Sequence, residues 1–395
     1  MKKYDIAIIG GGFAGASMAY KLSKLDSSLE IALIERHSIG CKPVSAFTFT
    51  DVVDDLGVRK SVRQYYNQIE VVSTLGARES YTYDNDVFAF IDYRKACEEL
   101  VERSGCQIVF DEVSSIKGGK LVLKGGMMDA KVIADASGQG YKFRKELGMD
   151  VPGIENHLYY KRFADCRITN PRSLQLVFGD IGTNGGWFYP INGTECEIGV
   201  AERFKSGEKI DIFPEKQKKN MERFLSHKSY NEMLKDSRSG SEVMAFYPYE
   251  PVKRVVKGNV VFLGDNAGMV HPVFGMGIHY IHKIGTLCAE YCAQAAHGDV
   301  KILKEYQNSW ERMLKSDMNA WIWGQIFWGL NSEQIDKIIE IRSKSRVDRM
   351  NVLSELRGHM GDRQGGLFRV PEGLYRDLVK GALINKLKFK LKYGC

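Results

Sequence analysis

The residues best suited to chemistry stand at the start of the chain, where Gly10, Gly12 and Gly15 form a G-x-G-x-x-G pattern. A short apolar run from Tyr4 to Ile9 precedes them, and apolar residues at helical spacing follow from Ala16. In this context the first glycine allows a tight turn, the second lets a pyrophosphate approach the backbone, and the third lets the helix pack on the strand. The pattern predicts a dinucleotide site. It argues against a glycine turn that binds nothing, and against a signal peptide, whose small-residue cleavage site is missing.

Two acidic residues follow other predicted strands. Leu29 to Ile34 is predicted as a strand, and Glu35 follows it about 20 residues after the last glycine, where a carboxylate hydrogen-bonds a ribose hydroxyl. Val260 to Asp265 is predicted as a third buried strand ending in Gly-Asp, with glycines that open a helix through about Ala296. Because no second G-x-G-x-x-G occurs, we expect no dedicated nicotinamide-binding domain. NAD(P)H would visit transiently, or another carrier would supply the electrons.

Composition excludes several classes of protein. The formal net charge of +7 is not gathered in a basic arm or stripe, so nucleic acid is not an expected partner. The longest apolar stretch, Val260 to Ile278, contains Asp265 and His271 and is not a membrane span. The eight cysteines show no C-x-x-C and no zinc-type spacing, which favours reduced thiols in the cytoplasm and no metal site.

The predicted elements indicate an α/β protein of more than one lobe. A helix starts after the N-cap Asp92 and runs to about Ser104, with Gly105 as its stop signal. Residues 42–91 depart from the nucleotide-binding pattern, and the region from about 150 to 255 is rich in predicted strands, with one helix near 214–225. Residues 297–395 are predicted to be mostly helical.

The C-terminal region leaves two questions open. Trp321, Trp323, Phe327 and Trp328 form either part of a packed core or the wall of an apolar tunnel. From Leu374 the tail interleaves apolar residues with lysines, a pattern that suits an anionic membrane surface. Its last part alternates strictly and suits a strand equally well.

The glycine motif, an arginine at position 94 and the late Gly-Asp…Pro…Gly-x-Gly segment together resemble the flavoproteins of the p-hydroxybenzoate hydroxylase fold. Within that fold the chain is most similar to the geranylgeranyl reductases, including the archaeal reductases of digeranylgeranyl glycerophospholipids. Gly186-Trp-Phe-Tyr-Pro190, followed by Ile198-Gly-Val200, resembles their Tyr-x-Trp-x-Phe-Pro motif and the next strand. Residues 330–338 resemble a helical stretch near their C-terminus.

The resemblance implies a Rossmann-like FAD-binding domain with an inserted, mainly antiparallel β substrate domain and a helical C-terminal region. The FAD-binding domain would comprise 1–41, 92–150 and 255–297, the substrate domain 42–91 and 151–254, and the helical region 298–395. By carry-over, the residues expected at FAD are Gly10, Gly12, Ala14, Gly15, Glu35, Ala46, Phe47, Arg94, Val113, Gly138, Asp265, Gly275, Gly277 and Ile278. On the sequence alone Arg94 is equally a solvated helix residue, and Cys41 either faces the flavin or is a loop thiol without a role.

Three departures from the family pattern affect the site. Gly185 and Tyr189 stand where the motif has Tyr and Phe, and Ala46-Phe47 stand where many members carry Cys-Gly. Ser137-Gly138 replaces the fold's Asp-Gly. The first two affect the expected substrate geometry and the third the flavin or its electron donor, while FAD binding itself stays expected.

The function implied by the resemblance is reduction of isolated C=C bonds of a geranylgeranyl (isoprenoid) chain, in membrane ether lipids or their precursors, by hydride from reduced FAD in a site that the protein keeps apolar. Trp187, Phe188 and Tyr189 would line the path of the chain. An unconjugated alkene also needs a proton, for which His271 is the candidate donor. The sequence fits equally well a histidine that is only hydrogen-bonded within its loop. The electrons would come from NAD(P)H or from another reductant such as ferredoxin, and the substrate would be an isoprenoid or a lipid. The alternatives are an FAD monooxygenase or halogenase of the same fold, and a flavin-binding or membrane-docking protein without turnover.

Overall fold

The computed structural model describes residues 3–182, 185–205, 213–271, 275–316, 318–344, 384–386 and 390–391. In these ranges the chain alternates strands with helices at first and is helical from residue 277 onward. The strands are β1 (Lys3–Ile9), β2 (Ile31–Glu35), β3 (Phe47–Phe49), β4 (Val62–Tyr66), β5 (Gln68–Ser73), β6 (Arg78–Thr82), β7 (Phe88–Ile91), β8 (Gln107–Phe110), β9 (Val113–Lys117), β10 (Lys120–Leu123), β11 (Gly126–Asp135), β12 (Ile154–Ala164), β13 (Ser173–Phe178), β14 (Gly186–Pro190), β15 (Cys196–Lys205), β16 (Arg238–Pro248), β17 (Val256–Lys257) and β18 (Val260–Phe262). The helices are α1 (Phe13–Leu25), α2 (Thr50–Leu56), α3 (Tyr93–Ser104), α4 (Lys142–Glu146), α5 (Phe213–Ser226), α6 (Lys228–Leu234), α7 (Gly277–His297), α8 (Leu303–Ser316), α9 (Met318–Phe327) and α10 (Ser332–Lys344).

The first sheet has the Rossmann-like arrangement. Its order is β17-β18-β11-β1-β2-β8, and β1 pairs in parallel with both β2 and β11. β1 is apolar and buried over nearly its whole length, as a strand covered on both faces must be. Helix α1 packs against α3 and α7, and the hairpin β9–β10 extends from β11 toward the other face. The predicted fold class, α/β with a Rossmann-like domain, is confirmed.

The second sheet is mainly antiparallel. Its order is β16-β12-β15-β14-β13-β5-β6, with β13 and β5 as a parallel pair. Helices α5 and α6 pack on it through Met221, Phe224 and Tyr230. A small sheet, β3-β7-β4, completes the strands that the structure describes. These strands fall within the ranges predicted for the substrate domain, whose boundaries stay a prediction.

Local signals located several element ends correctly. The Asp92 side chain accepts a hydrogen bond from the Lys95 backbone N–H, and Gly105 ends α3 in the left-handed conformation, as predicted. The third buried strand is shorter than predicted, because β18 ends at Phe262 and Gly264–Ala267 form a 3₁₀ turn. That turn places Asp265 beside the strand ends instead of in line with β18.

Helices α8, α9 and α10 confirm the helical prediction up to residue 344. Trp321 is buried with Ile322 and Ile326 in the main core, whereas Trp328 contacts Phe178, the last residue of β13 in the second sheet. The side chains of Trp323 and Phe327 lie outside the described residues, as does most of the tail from Leu374, including its predicted membrane contact. None of the helices in the described ranges combines the length and the apolar character that crossing a bilayer requires.

Candidate functional site

The glycine-rich turn between β1 and α1 forms one end of the site. Gly10 has a φ of +101°, and a Cβ there would lie 2.6 Å from the Ala136 carbonyl oxygen at the end of β11. A Cβ on Gly15 would lie 1.9 Å from the Gly10 carbonyl oxygen. Only glycine fits at either position, so the turn brings the N-terminus of α1 against the ends of two parallel strands. This is the cradle that a dinucleotide pyrophosphate requires.

Glu35 is fixed at the mouth of this cradle by backbone donors. Its two carboxylate oxygens accept hydrogen bonds from the Gly11 N–H at 2.7 Å and from the His37 N–H at 2.9 Å. A carboxylate has about four acceptor positions, so further hydrogen bonds can be accepted. The position of Glu35 therefore fits the predicted contact with a ribose hydroxyl.

Tyr93, at the start of α3, is a site residue that the sequence did not single out. Its hydroxyl accepts a hydrogen bond from the Phe13 N–H at 2.9 Å, and a Cβ on Gly12 would lie 3.1 Å from the same oxygen. The only local signal was its place directly after the predicted N-cap Asp92. Burial raises the pKa of Tyr93 well above its usual value, so the hydroxyl stays protonated.

Asp135, a buried carboxyl group at the end of β11, stabilises the wall of the cleft that lies opposite Tyr93. Its Oδ1 accepts hydrogen bonds from the Ser137 N–H at 3.0 Å and from Asn266 Nδ2 at 2.9 Å. Burial raises its pKa to about 6, against the lowering effect of these hydrogen bonds. Asp135 thereby ties the loop that contains Gly138 to the turn that contains Asp265.

These parts enclose a cleft of about 830 Å³, including its open mouth. Of the residues predicted at FAD, six border it: Gly10, Gly12, Ala14, Glu35, Gly138 and Asp265. Cys41 is exposed and also borders the cleft, and its position relative to the flavin stays a prediction. The glycines leave room for a phosphate, the helix N-terminus offers it N–H donors, and Glu35 can accept a hydrogen bond from a ribose hydroxyl, so together they fit the ADP half of a dinucleotide.

An apolar chamber of about 1230 Å³, including its open mouth, adjoins the cleft. The residues shared by the two linings are Phe13, Lys42, Tyr93, Asp265 and Ile281. At the junction, Asp265 Oδ2 accepts hydrogen bonds at 3.3 Å from both Lys42 Nζ and Gln139 Nε2. The structure thus places a polar junction between a dinucleotide cleft and an apolar space.

The start of α7 brings three more of the predicted residues to the chamber: Gly275, Gly277 and Ile278. His271 does not border the chamber with them. It is 1% exposed, and its ring packs edge-on against Tyr280. Its backbone binds the two residues that precede α7, donating to the Met276 carbonyl and accepting from the Gly275 N–H.

Strand β14 corrects one prediction about the substrate path. Trp187 and Tyr189 border the chamber, but Phe188 faces the other side of the sheet, where its ring lies 6.0 Å from that of Tyr230. Successive side chains of a strand point to opposite faces, so three consecutive aromatic residues cannot line one path. The prediction was wrong for Phe188.

The indole of Trp187 is held flat against the neighbouring strand. Its ring occupies the space over Gly199 of β15, where an added Cβ would lie 2.1 Å from the ring. Its Nε1–H donates to Glu197 Oε1 at 3.1 Å. Glu197 is fully buried, which raises its pKa, while Ser45, Arg162 and Trp187 act in the opposite direction. This buried carboxylate was not found from sequence, because an alternating strand residue carries no sign of its partners.

Eight of the fourteen residues predicted at FAD do not border the cleft: Gly15, the three at the start of α7, and Ala46, Phe47, Arg94 and Val113. Val113 packs in the core on the far side of the first sheet, and Ala46 is fully buried. Phe47 borders the chamber and stacks on Tyr189 at 5.1 Å. Arg94 is 61% exposed at its side chain and pairs with Glu98 at 2.8 Å, as the solvated alternative predicts. Their cofactor contacts stay predictions.

The fold and the two cavities define the class of protein. It is a Rossmann-like protein in which a cleft suited to a dinucleotide opens onto an apolar chamber. Residues 8–72 match the family model of an NAD(P)-binding Rossmann-like domain. The sequence is 22% identical to digeranylgeranylglycerophospholipid reductase 2 of Methanothermobacter thermautotrophicus, over 89% of this chain and 97% of that protein. The similarity to geranylgeranyl reductases that the motifs indicated is therefore confirmed.

Solved structures share the fold. A geranylgeranyl bacteriochlorophyll reductase-like protein of Thermoplasma acidophilum superposes with a TM-score of 0.76 at 16% identity, with 100% of both chains covered. A flavin-dependent brominase superposes with a TM-score of 0.73 at 16% identity, with 96% of this chain and 98% of the other covered. The same fold is thus shared by proteins described as reductase-like and as halogenating.

Proposed function

We propose that this protein is an FAD-dependent reductase that saturates C=C bonds of geranylgeranyl chains, in membrane ether lipids or their precursors. The observation that carries the proposal is the apolar chamber that opens directly onto the glycine-rich cleft at Lys42 and Asp265. An isoprenoid chain is an extended hydrocarbon, and a chamber lined by aromatic and aliphatic side chains offers it an environment that excludes water. The named relatives that reduce digeranylgeranylglycerophospholipids support the same substrate class.

The residues of this chain would bind and orient both reactants. Gly10, Gly12 and Glu35 would hold the ADP half of FAD, and the turn at Asp265 with the start of α7 would hold the flavin half. Bound FAD would supply the hydride chemistry. Trp187 and Tyr189 would hold the isoprenoid chain against the junction, and their rigid packing would keep one double bond in place.

His271 stays our proposed proton donor. The His271 backbone is hydrogen-bonded to Gly275 and Met276, which border the chamber, so the residue lies next to the chamber wall although its ring does not border the chamber. A His271→Ala variant should lose turnover while keeping bound flavin, because an alkene that accepts hydride must also receive a proton. Full turnover by this variant would remove His271 from the mechanism and leave the reductase function standing.

Anaerobic mixing tests the proposed function. The flavin-loaded protein is reduced with dithionite and mixed with a geranylgeranyl lipid. Flavin reoxidation is followed by visible absorbance, and the molecular mass of the lipid product is measured by mass spectrometry. Reoxidation with the gain of one hydrogen molecule per double bond is the expected result. Boiled protein is the control for nonenzymatic reduction.

The second candidate function is an FAD-dependent monooxygenase or halogenase. The flavin-dependent brominase of the same fold favours it. In the same experiment this function predicts no anaerobic reoxidation, followed by reoxidation with oxygen and a hydroxylated or halogenated product.

Physiological electrons would come from NAD(P)H or from a protein donor such as ferredoxin, and addition of each to the oxidised protein distinguishes them. Peripheral membrane contact of the basic tail is a further proposal, and loss of liposome binding on truncation after Leu374 tests it.

A further inference from the structure

A third space, with a cationic lining, opens beside the apolar chamber. It measures about 720 Å³, including its mouth, and shares part of its wall with the chamber. The shared residues are Lys42, Pro43, Val44, Tyr93 and Tyr160. We call it the basic hollow. A molecule with an apolar chain and a polar head could occupy the chamber and the basic hollow at once.

Positive charge dominates the lining of the basic hollow. Its cationic residues are Lys42, Arg63, Arg94 and Arg162, and the carboxylate in its described lining is that of Asp92. Asp92 is engaged as the N-cap of α3. Each of the four cations also pairs with a carboxylate that does not border the hollow: Lys42 with Asp265, Arg63 with Glu195, Arg94 with Glu98 and Arg162 with Glu197. An anion in the hollow would bind to the N–H donors that these ion pairs leave.

Arg63 lies on β4 and Arg162 on β12, and both pair with carboxylates of the β14–β15 hairpin. Arg63 contacts Glu195 through one terminal nitrogen at 3.0 Å, and Arg162 contacts Glu197 through Nε at 3.1 Å. A guanidinium has five N–H donors, so each contact leaves donors for a ligand. The two carboxylates hold the guanidinium groups in place, which lowers the entropy lost when an anion binds.

Tyr160 provides a second, independent observation at the border of the two spaces. The residue is 1% exposed, and within the described part of the chain its hydroxyl has no hydrogen-bond partner. A buried hydroxyl without a partner is unfavourable by roughly 1–3 kcal/mol, and a ligand oxygen would remove that penalty. Burial raises the pKa of Tyr160, so the group is a donor at neutral pH.

We propose that the basic hollow binds the phosphate of an isoprenoid substrate whose hydrocarbon chain lies in the apolar chamber. Arg63 and Arg162 pair with the phosphate, and Tyr160 donates a hydrogen bond to an oxygen at the junction of chain and head. This rests on the proposed function for the isoprenoid chain but not for the phosphate. The basic hollow shares Gly40, Lys42 and Tyr93 with the described lining of the glycine-rich cleft, whereas Arg63, Tyr160 and Arg162 border the hollow and not the cleft.

Calorimetric binding to the oxidised, flavin-loaded protein tests the site without turnover. The ligands are geranylgeranyl monophosphate, digeranylgeranylglycerol phosphate, geranylgeraniol and inorganic phosphate. We expect both phosphorylated lipids to bind at least tenfold more tightly than the alcohol, with an advantage that shrinks at high salt. Tighter binding of the monophosphate would indicate a precursor as substrate, and tighter binding of the glycerol phosphate a membrane lipid.

The Arg63→Gln variant should weaken binding of the phosphorylated lipids about tenfold or more and leave the alcohol unchanged. Arg63 and Glu195 are both more than one-third exposed, so the fold should tolerate the change. Tyr160→Phe should act in the same direction without changing charge. Arg78→Gln is the matched control, because Arg78 is half exposed and pairs with Glu70 on β5, outside the basic hollow.

Equal binding of phosphate and alcohol by the wild type, or unchanged phosphate binding in both variants, would overturn the proposed phosphate site. Failure of the proposed reductase function has a different signature, since phosphate-dependent binding would persist without anaerobic reoxidation of the flavin.

Discussion

At the scale of single residues, the two most telling groups are buried carboxyls that contact no solvent. Asp135 joins two loops of the cofactor cleft, and Glu197 anchors the indole that forms a wall of the chamber. Each is enclosed by donors, yet burial still raises its pKa. A carboxylate in such a place is unfavourable for folding, and the hydrogen bonds that it accepts hold the loops or side chains of the site in position.

Asp135 should make stability depend on pH. Its pKa of about 6 in the folded protein exceeds the unfolded value of about 3.9, so the folded state binds the proton more tightly. Its contribution is therefore fully present below about pH 4 and lost as the pH rises to about 6, by about 3 kcal/mol in total. Asp135→Asn should remove that slope. Urea unfolding of both proteins across this interval measures it, and parallel curves for the two proteins would contradict the assignment.

At the scale of elements, the β1–α1 turn depends on the absence of side chains. Gly15→Ala would place a methyl group 1.9 Å from the Gly10 carbonyl oxygen. We expect a loss of about 1–3 kcal/mol or more in the free energy of unfolding, together with loss of bound flavin. Gly193→Ala is the control, because its Cβ would meet no atom within 4 Å. Flavin content and chemical unfolding are the measurements, and a stable, flavin-loaded Gly15→Ala protein would be inconsistent with this packing.

The pairing of β14 with β15 should be equally specific. Gly199→Ala would displace the Trp187 indole and break its hydrogen bond to Glu197. We expect a changed tryptophan emission spectrum and a higher KM for the lipid, because the wall of the chamber moves. Gly193→Ala again serves as control. An unchanged spectrum and KM would show that the ring does not lie over Gly199.

Sequence predicted the elements whose determinants are local. The glycine motif and α3 are defined by residues within one turn of each other, so their positions followed from the pattern alone. Tyr93 and Glu197 escaped notice because their partners, Phe13 and Trp187, are brought to them by tertiary packing. Phe188 was misassigned because the alternation of the strand was not applied to it.

At the scale of the whole molecule, α10 fastens the C-terminal helices to the second sheet. Arg342 Nε donates to Glu79 Oε2 at 2.8 Å, and its NH2 group donates to the Tyr81 hydroxyl at 2.8 Å. Both charged side chains are under 5% exposed. The ion pair holds α10 near Trp328, which borders the chamber.

Arg342→Ala should destabilise the protein by about 3–5 kcal/mol, because it leaves the Glu79 carboxylate buried and unpaired. Lys344→Ala is the control, since Lys344 pairs with Glu340 on the exposed side of the same helix. Urea unfolding compares the two variants. If they prove equally stable, α10 is not held by this ion pair.

Lys42 and Tyr93 border all three spaces: the cleft, the chamber and the basic hollow. A substitution at either would alter the cleft, the chamber and the basic hollow together, so these positions have little freedom to diverge. Leu158 and Ala245 border the chamber but appear in neither of the other two linings. A lineage that adopts a longer or bulkier lipid can therefore change such positions first and keep its flavin, and a directed-evolution library should begin there.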